Sequence, residues 1–283
     1  MERMSLDFSD RVAVLKFNHP QVMNAVGSRM LEDFFEALSE IRNPDNGARC
    51  LLLTGEGRGF FAGANPQGED RGSRRGGAVW DPPRPGGRRV SRRSRRGGPR
   101  PCRPGRAAAA ATPHRGRWPR RCAGGNPQDE DRGSRRGGAG DGLRTSYHPI
   151  LLQLRDLEMP MVTAVNGAAA GVGMSFAMMG DVVCASKGAF FLQAFARIGL
   201  IPDGGSTWML PRLVGWGRAM ELSLLAERLP AEQAQEWGLV NRLFDDNEAL
   251  MAGAMNIARK LANGPRSLTL IRKAYWATWQ NAF

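Results

Sequence analysis

Two places in this 283-residue chain bring a strand to an end among small residues, where main-chain N–H groups can be presented to a ligand. The first is residues 50–54, CLLLT, which run through Gly55-Glu56-Gly57-Arg58-Gly59 into Phe60-Phe61-Ala62-Gly63-Ala64-Asn65. The second is residues 161–165, followed by Asn166-Gly167 and the run Ala168-Ala169-Ala170-Gly171-Val172-Gly173. That run leads into a helix carrying Met174, Phe176, Ala177 and Met178. Small residues let a backbone approach a ligand without side-chain collision. The first N–H groups of a helix lack internal acceptors, and the helix dipole adds positive potential there. Such an arrangement suits an oxygen that gains negative charge during a reaction. Tight packing of a helix on a sheet asks for the same residues, so this stretch alone leaves both readings open.

These strand ends need a scaffold. Residues 11–17 (RVAVLKF) have strand character, ended by His19-Pro20. Residues 24–27 form a turn, and Ser28 is placed to cap a helix in which Met30, Leu31, Phe34, Phe35, Leu38 and Ile41 recur at three- and four-residue spacing. Ordered sequence resumes at Ser146-Tyr147-His148-Pro149, with Ile150, Leu151, Leu154 and Leu157 on one helix face. Residues 181–185 and 189–192 are short strands, and 199–205 (GLIPDGG) is a turn before a helix over 206–213. Helical spacing then dominates over 220–226, 230–237, 248–262 and 267–279. The expectation is an α/β chain with a helical C-terminal part.

The composition narrows the partners. The net charge is +13, but residues 79–122 hold 14 Arg against one Asp, which accounts for all of it. A neutral body with one Arg-rich segment is not shaped throughout for phosphate, so nucleic-acid binding is not expected. Residues 62–78 and 123–139 match at 15 of 17 positions, differing at Ala64/Gly125 and Gly68/Asp129. The Arg-, Pro- and Gly-rich tract between them has too few large aliphatic residues to offset the entropy of ordering it. It reads as a duplication that includes out-of-frame sequence, or as a basic linker or RNA-binding tail. Cys50, Cys102, Cys122 and Cys184 form no CxxC pair and have no His at metal spacing, so they read as reduced thiols in a cytoplasmic protein, with no metal. Residues 1–10 are polar and give no secretory signal. The apolar window 159–180 contains Pro160, Thr163, Asn166, Ser175 and several glycines, which fits a buried strand–turn–helix better than a membrane span.

Several spaced motifs, in order, resemble the crotonase or enoyl-CoA hydratase/isomerase superfamily. They are Asn24-Ala25, residues 61–65 (FAGAN), residues 162–173 (VTAVNGAAAGVG), residues 199–205 with Leu210-Pro211-Arg212, and residues 234–240 (AQEWGLV). The resemblance covers roughly 1–65 and 145–283. It implies a crotonase-like spiral of repeated ββα units, a homotrimer or dimer of trimers, and acyl-CoA thioester substrates with no permanently bound cofactor. Its division of the chain is a core over 1–65 and 140–220, an insert over 66–139, and a C-terminal helical region over 221–283, shorter than in relatives. It also implies that the N–H groups of Ala64 and Val172 hold the thioester oxygen as it becomes an enolate. The backbone at Ala62, Ala64, Pro66 and Gly171 would lie against coenzyme A. Ala64 is preferred to Gly125 because the strand CLLLT leads into it.

The resemblance also bears on which reaction follows. The two glutamates of the family's hydratases fall on Ser175 and Phe195, neither of which is a carboxylate. An acid appears instead at Asp203, where several isomerases and the dehalogenases of the family carry their working carboxylate. One carboxylate beside a stabilised enolate is enough to move a proton between carbons. Asp203 before a helix is equally placed to cap it. His148 stands where dehalogenase-type members place a general base. The expected activity is double-bond isomerisation, with hydration as the neighbouring reaction. The alternatives are dehalogenase-like hydrolysis through Asp203 and His148, or a catalytically impaired member that binds CoA.

Overall fold

The computed structural model describes residues 1–63 and 147–278. Ala64, Pro66 and the insert over 66–139 lie outside the described residues. The chain opens with a hairpin in which β1 (Met4–Ser9) runs antiparallel to β2 (Val12–Phe17), Met4 opposite Phe17. Asp10 and Arg11 make the turn, both in the left-handed region. β1 was not expected from the sequence: it is an edge strand whose exposure increases along its length, so its polar residues are tolerated. Helix α1 (Ser28–Arg42) follows. Its N-cap is Gly27 rather than the expected Ser28, which is the first helical residue.

From β3 to β8 the strands alternate between two sheets. β3 (Cys50–Gly55) leads to β4 (Gly59–Phe61), then after helix α2 (His148–Arg155) β5 (Met161–Val165) leads to β6 (Ala168–Ala170). Helix α3 (Val172–Ala177) closes that unit, and β7 (Val182–Ser186) leads to β8 (Phe190–Leu192) and a 3-10 turn over Ala194–Ile198. Then come α4 (Ser206–Val214), which contains Leu210-Pro211-Arg212, α5 (Trp216–Leu225), β9 (Arg228–Pro230), α6 (Ala231–Glu236), β10 (Arg242–Phe244), α7 (Asn247–Ala262) and α8 (Ser267–Thr278). The larger sheet has the order β1-β2-β3-β5-β7-β10 and is parallel after its first hairpin. The smaller has the order β4-β6-β8-β9, with only β9 antiparallel. Three successive units thus place one strand in each sheet, which is the expected α/β spiral of repeated units. β9 and β10 have three residues each and were not foreseen; a strand that short shows no periodicity.

The core is built on both faces of the larger sheet. On one face Phe17 stacks on Phe61 with ring centroids 4.6 Å apart, and Phe176 of α3 meets Phe61 at 5.3 Å. On the other, Leu250, Ala254, Ala258 and Ala262 of α7 line up every fourth residue. They lie against Val14, Leu52, Val162 and Cys184. Alanine on that stripe lets the helix come close to strands that are buried on both sides. Among the described residues, no helix is long and apolar enough to cross a membrane, and no group of His, Cys, Asp or Glu is arranged to hold a metal.

Candidate active site

The two small-residue strand ends identified in the sequence meet in the structure. Asn24 is fully buried with a left-handed backbone, and its side chain ties the preceding turn to the start of β4. Its Oδ1 accepts from the His19 N–H at 2.7 Å, while its Nδ2 donates to the Glu56 and Gly59 carbonyls at 3.0 and 2.7 Å. Beyond β4 the Ala62 N–H donates to the Met23 carbonyl at 3.1 Å, and the Val26 N–H to the Gly63 carbonyl at 2.7 Å. The chain at 62–63 is therefore held by main-chain bonds on the side of the 23–26 turn.

On its other side this segment abuts β6 and α3. A Cβ on Gly63 would lie 3.1 Å from the Ala170 carbonyl oxygen. A Cβ on Gly173 would lie 1.9 Å from the Phe61 carbonyl oxygen, an approach open to glycine alone. Gly171 precedes α3 with a φ of +55°, and its N–H donates to the Leu192 carbonyl at 2.8 Å. Val172, between these glycines, is the first residue of α3, so its N–H has no acceptor within the helix. The packing and ligand-presenting readings of this run are thus not exclusive. Close packing brings the end of β4 and the start of α3 together.

Asp203 sits across from α3. Gly204 and Gly205 follow it, both in the left-handed region. The N-cap of α4 is Gly205 and makes no side-chain cap bond, so the capping role that the sequence also allowed for Asp203 is not realised. The main-chain oxygen of Asp203 accepts the Ser206 N–H at 3.0 Å and the Ser175 hydroxyl at 3.2 Å. Its carboxyl Oδ1 is buried and has no hydrogen-bond partner among the described residues. Burial raises the proton affinity of this carboxyl above the usual carboxylate range, and the charge of His148 opposes that shift. A half-buried carboxyl with raised proton affinity and one buried, open acceptor oxygen is equipped to take and return a proton.

The neighbours of Asp203 come from distant parts of the chain. His148 is exposed on the first turn of α2, within electrostatic reach of the carboxyl. Tyr147, beside it, is half-buried, and its hydroxyl is pushed up by burial and then by the Asp203 charge. One turn on, Leu151 Cδ1 lies 3.3 Å from where a Cβ on Gly204 would be. Phe195 Cζ lies 3.8 Å from the corresponding point on Gly171. The structure thus brings Gly171, Val172, Ser175, Phe195, Asp203 and His148 into one neighbourhood, with Ala62 held at the end of β4. Tyr147, Gln193 and Ser206 were missed as site neighbours. Tyr147 stands next to His148 in the sequence, whereas nothing local in FFLQAFA or GGSTW marks Gln193 or Ser206.

Comparison with known proteins gives this geometry a context. A family model described as enoyl-CoA hydratase/isomerase matches residues 7–81 and 120–282. The chain is 35% identical over 264 residues to a 1,2-epoxyphenylacetyl-CoA isomerase of Escherichia coli K12, covering 93% of this chain and 78% of that protein. It is 28% identical over 265 residues to 4-chlorobenzoyl coenzyme A dehalogenase-2 of an Arthrobacter species, covering 94% and 74%. A crystal structure of an enoyl-CoA hydratase from Bacillus anthracis superposes with a TM-score of 0.70 at 22% identity, covering 99% of this chain and 84% of that one. The last likeness speaks to the fold.

Proposed function

The chain belongs to the enoyl-CoA hydratase/isomerase family, an enzyme family, and within it we propose that this protein isomerises the double bond of an acyl-CoA thioester. The N–H groups of Ala64 and Val172 receive the thioester oxygen as the enolate forms, and such preorganised donors are worth about 3–4 kcal/mol each to an acyl-transfer transition state. Asp203 takes the proton from one carbon and returns it to another. Coenzyme A enters as part of the substrate, against the backbone of Ala62, Ala64, Pro66 and Gly171. The observation that carries the reading is the buried, unpartnered carboxyl oxygen of Asp203 beside the helix that Val172 opens. The relative named as a CoA-thioester isomerase supports it, as does the absence of a carboxylate at Ser175 and Phe195.

Three coarser features go with this reading. The exposed apolar residues Ile198, Leu200, Ile201, Leu224 and Leu225 favour self-association, as a homotrimer or dimer of trimers. The free, buried thiols of Cys50 and Cys184 fit a reducing, cytoplasmic setting. Residues 66–139 are proposed to be an insert dispensable to the core, and deletion of 79–139 is expected to leave folding and turnover intact.

The test is turnover of a 3-enoyl-CoA, followed as formation of the conjugated 2-enoyl-CoA. We expect the wild-type chain to interconvert the two, and Asp203→Asn to lower kcat by about 10²–10⁴-fold, the range for a positioned acid–base group. Full turnover by the Asn protein removes the mechanism. Release of halide from a 4-halobenzoyl-CoA, lost in both Asp203→Asn and His148→Asn, would favour the hydrolytic reading. That reading draws on the reach of the His148 charge to Asp203 and on the dehalogenase relative.

A further inference from the structure

Behind the Asp203 turn lies a line of polar side chains that the proposed chemistry does not use. Gln193, Ser206 and Ser175 are each at most 1% exposed, although they come from three separate segments. The Ser175 hydroxyl donates to the Asp203 main-chain oxygen at 3.2 Å. Ser175 and Ser206 Oγ are 2.7 Å apart, and Gln193 Nε2 stands 3.2 Å from Ser206 Oγ.

Once the Ser175 hydroxyl donates to the Asp203 main-chain oxygen, the other contacts of this line fall into one consistent direction. A carbonyl oxygen only accepts, so the single Ser175 proton goes to Asp203. Ser175 Oγ must then accept from Ser206, whose proton is used there. Ser206 Oγ is left as an acceptor, and the amide nitrogen of Gln193 supplies the donor. The same nitrogen also reaches Met174 Sδ at 3.3 Å. Room is tight throughout, since a Cβ on Gly204 would lie 2.8 Å from Ser175 Oγ.

The consequence concerns Asp203. Its main-chain oxygen is gripped twice, by the Ser175 hydroxyl and by the Ser206 N–H at 3.0 Å. Its Oδ1, by contrast, is buried with no hydrogen-bond partner among the described residues. That oxygen is therefore kept in its buried place through the backbone, which leaves it free to take up a proton. We infer that Gln193, Ser206 and Ser175 form a one-way hydrogen-bond chain that positions Asp203 for proton transfer. The inference rests on the reading of Asp203 as the proton-transfer carboxylate. The competing view is that these buried groups serve packing alone, with Gln193 Oε1 lacking a partner among the described residues, in which case their loss affects stability alone.

The experiment uses the full chain and the variants Ser175→Ala, Ser175→Cys, Gln193→Leu and Asp203→Asn. Two quantities are read: steady-state isomerisation of a 3-enoyl-CoA, and the titration of the Asp203 carboxyl by ¹³C NMR, assigned by its loss in Asp203→Asn. Ser175→Ala and Gln193→Leu are expected to lower kcat by about ten- to a hundredfold, the effect of a displacement of about 1 Å at a reacting group, with KM little changed. In both, the Asp203 titration moves down towards an ordinary carboxylate as the turn loosens and water enters. Ser175→Cys keeps a weak donor and recovers part of kcat. The charged and titratable neighbours, His148 and Tyr147, are untouched by these changes. Wild-type kcat and an unmoved Asp203 titration in both Ser175→Ala and Gln193→Leu overturn the inference, while the Asp203 role stands if Asp203→Asn is inactive. Full turnover by Asp203→Asn overturns both. If no thioester is turned over, the NMR titration still decides whether the chain positions the carboxyl.

Discussion

The contact between α8 and the body of the protein gives the sharpest stability prediction. Arg272 on α8 has a side chain only 4% exposed and meets Asp181, itself 26% exposed. Its Nε lies 2.7 and 3.0 Å from the two Asp181 carboxyl oxygens. Its Nη2 donates to the Leu154 carbonyl at 2.9 Å, and its Nη1 to the Leu157 carbonyl at 3.1 Å and to the Arg155 carbonyl. One guanidinium therefore donates to the last two carbonyls of α2 and to one just beyond it, and the other end of that helix carries His148, whose charge reaches Asp203. Asp181 in turn accepts the Met161 N–H at 2.7 Å, at the start of β5. Arg272→Met keeps most of the volume but removes the guanidinium's bonds to Asp181 and to three carbonyls, leaving Asp181 with the Met161 N–H. Asp181 is partly exposed, so the cost is that of stripping acceptors of a donor, about 1–3 kcal/mol, which for a domain of 150–250 residues is a Tm lower by roughly 2–12 °C. Calorimetry on Arg272→Met, Asp181→Asn and the double variant reads both the loss and the coupling. The double variant should be less destabilised than the summed singles by about 1–3 kcal/mol. Arg272→Lys, which keeps the charge but loses the fork, should fall between. A drop of less than about 2 °C in Arg272→Met, or strict additivity in the double variant, would refute the argument.

Asp203 couples function to stability with a definite sign. Its folded-state proton affinity is raised, mainly by burial, so stability falls as pH climbs from the unfolded carboxylate value through the folded one. Asp203→Asn should therefore melt above the wild type at neutral pH, with the difference shrinking as pH is lowered towards about 4. In the active wild type, the acid limb of kcat/KM should lie above the ordinary Asp value of about 3.9. Gly173→Ala forces a Cβ to 1.9 Å from the Phe61 carbonyl, so we expect loss of turnover and a destabilisation of at least about 1–3 kcal/mol; Gly188→Ala, with nothing within 4 Å, is its control. Burial pushes the Cys50 thiol up to about 12 and the Cys184 thiol up to about 11. Peptide mapping after iodoacetamide at mildly alkaline pH should find both unmodified in the folded protein and alkylated once it is unfolded.

The features legible in the sequence were those that need residues of one kind close together in the chain. Residues 161–173 announced a strand, a turn at Asn166-Gly167 and a small-residue run into a helix, but not the short strand β6 that Ala168–Ala170 form within that run. The contact of Gly173 with Phe61 explains why a small residue is needed there, although the sequence could not name the partner. Asp203 was legible through its place in GLIPDGG, but its chemistry was not. Whether it caps α4 or stays unpartnered depends on Gly205 holding the N-cap, which is a matter of backbone angles. The Gln193–Ser206–Ser175 line was invisible because each member is an ordinary residue in its own segment and the connection exists only after folding. β1 was hidden by its polar, partly exposed residues, and β9 and β10 by their length.

The division of labour in the site follows from what each part must resist. The oxygen-holding groups proposed here are main-chain N–H groups, so a side-chain change reaches them only by moving a backbone, as at Gly173. The proton-moving group is a single half-buried side chain, and its raised proton affinity comes from desolvation, with Oδ1 itself buried and without a hydrogen-bond partner among the described residues. A carboxyl in that condition is poorly solvated when ionised, and it would shift towards water if its backbone were free to follow. Two consecutive left-handed glycines give the Asp203 turn its shape. The bonds from Ser175 and Ser206 fix that turn between α3 and α4. The energetic penalty of burying Asp203 and its capacity to accept a proton therefore have the same physical origin. A substitution that relieves the first without touching the fold should remove the second.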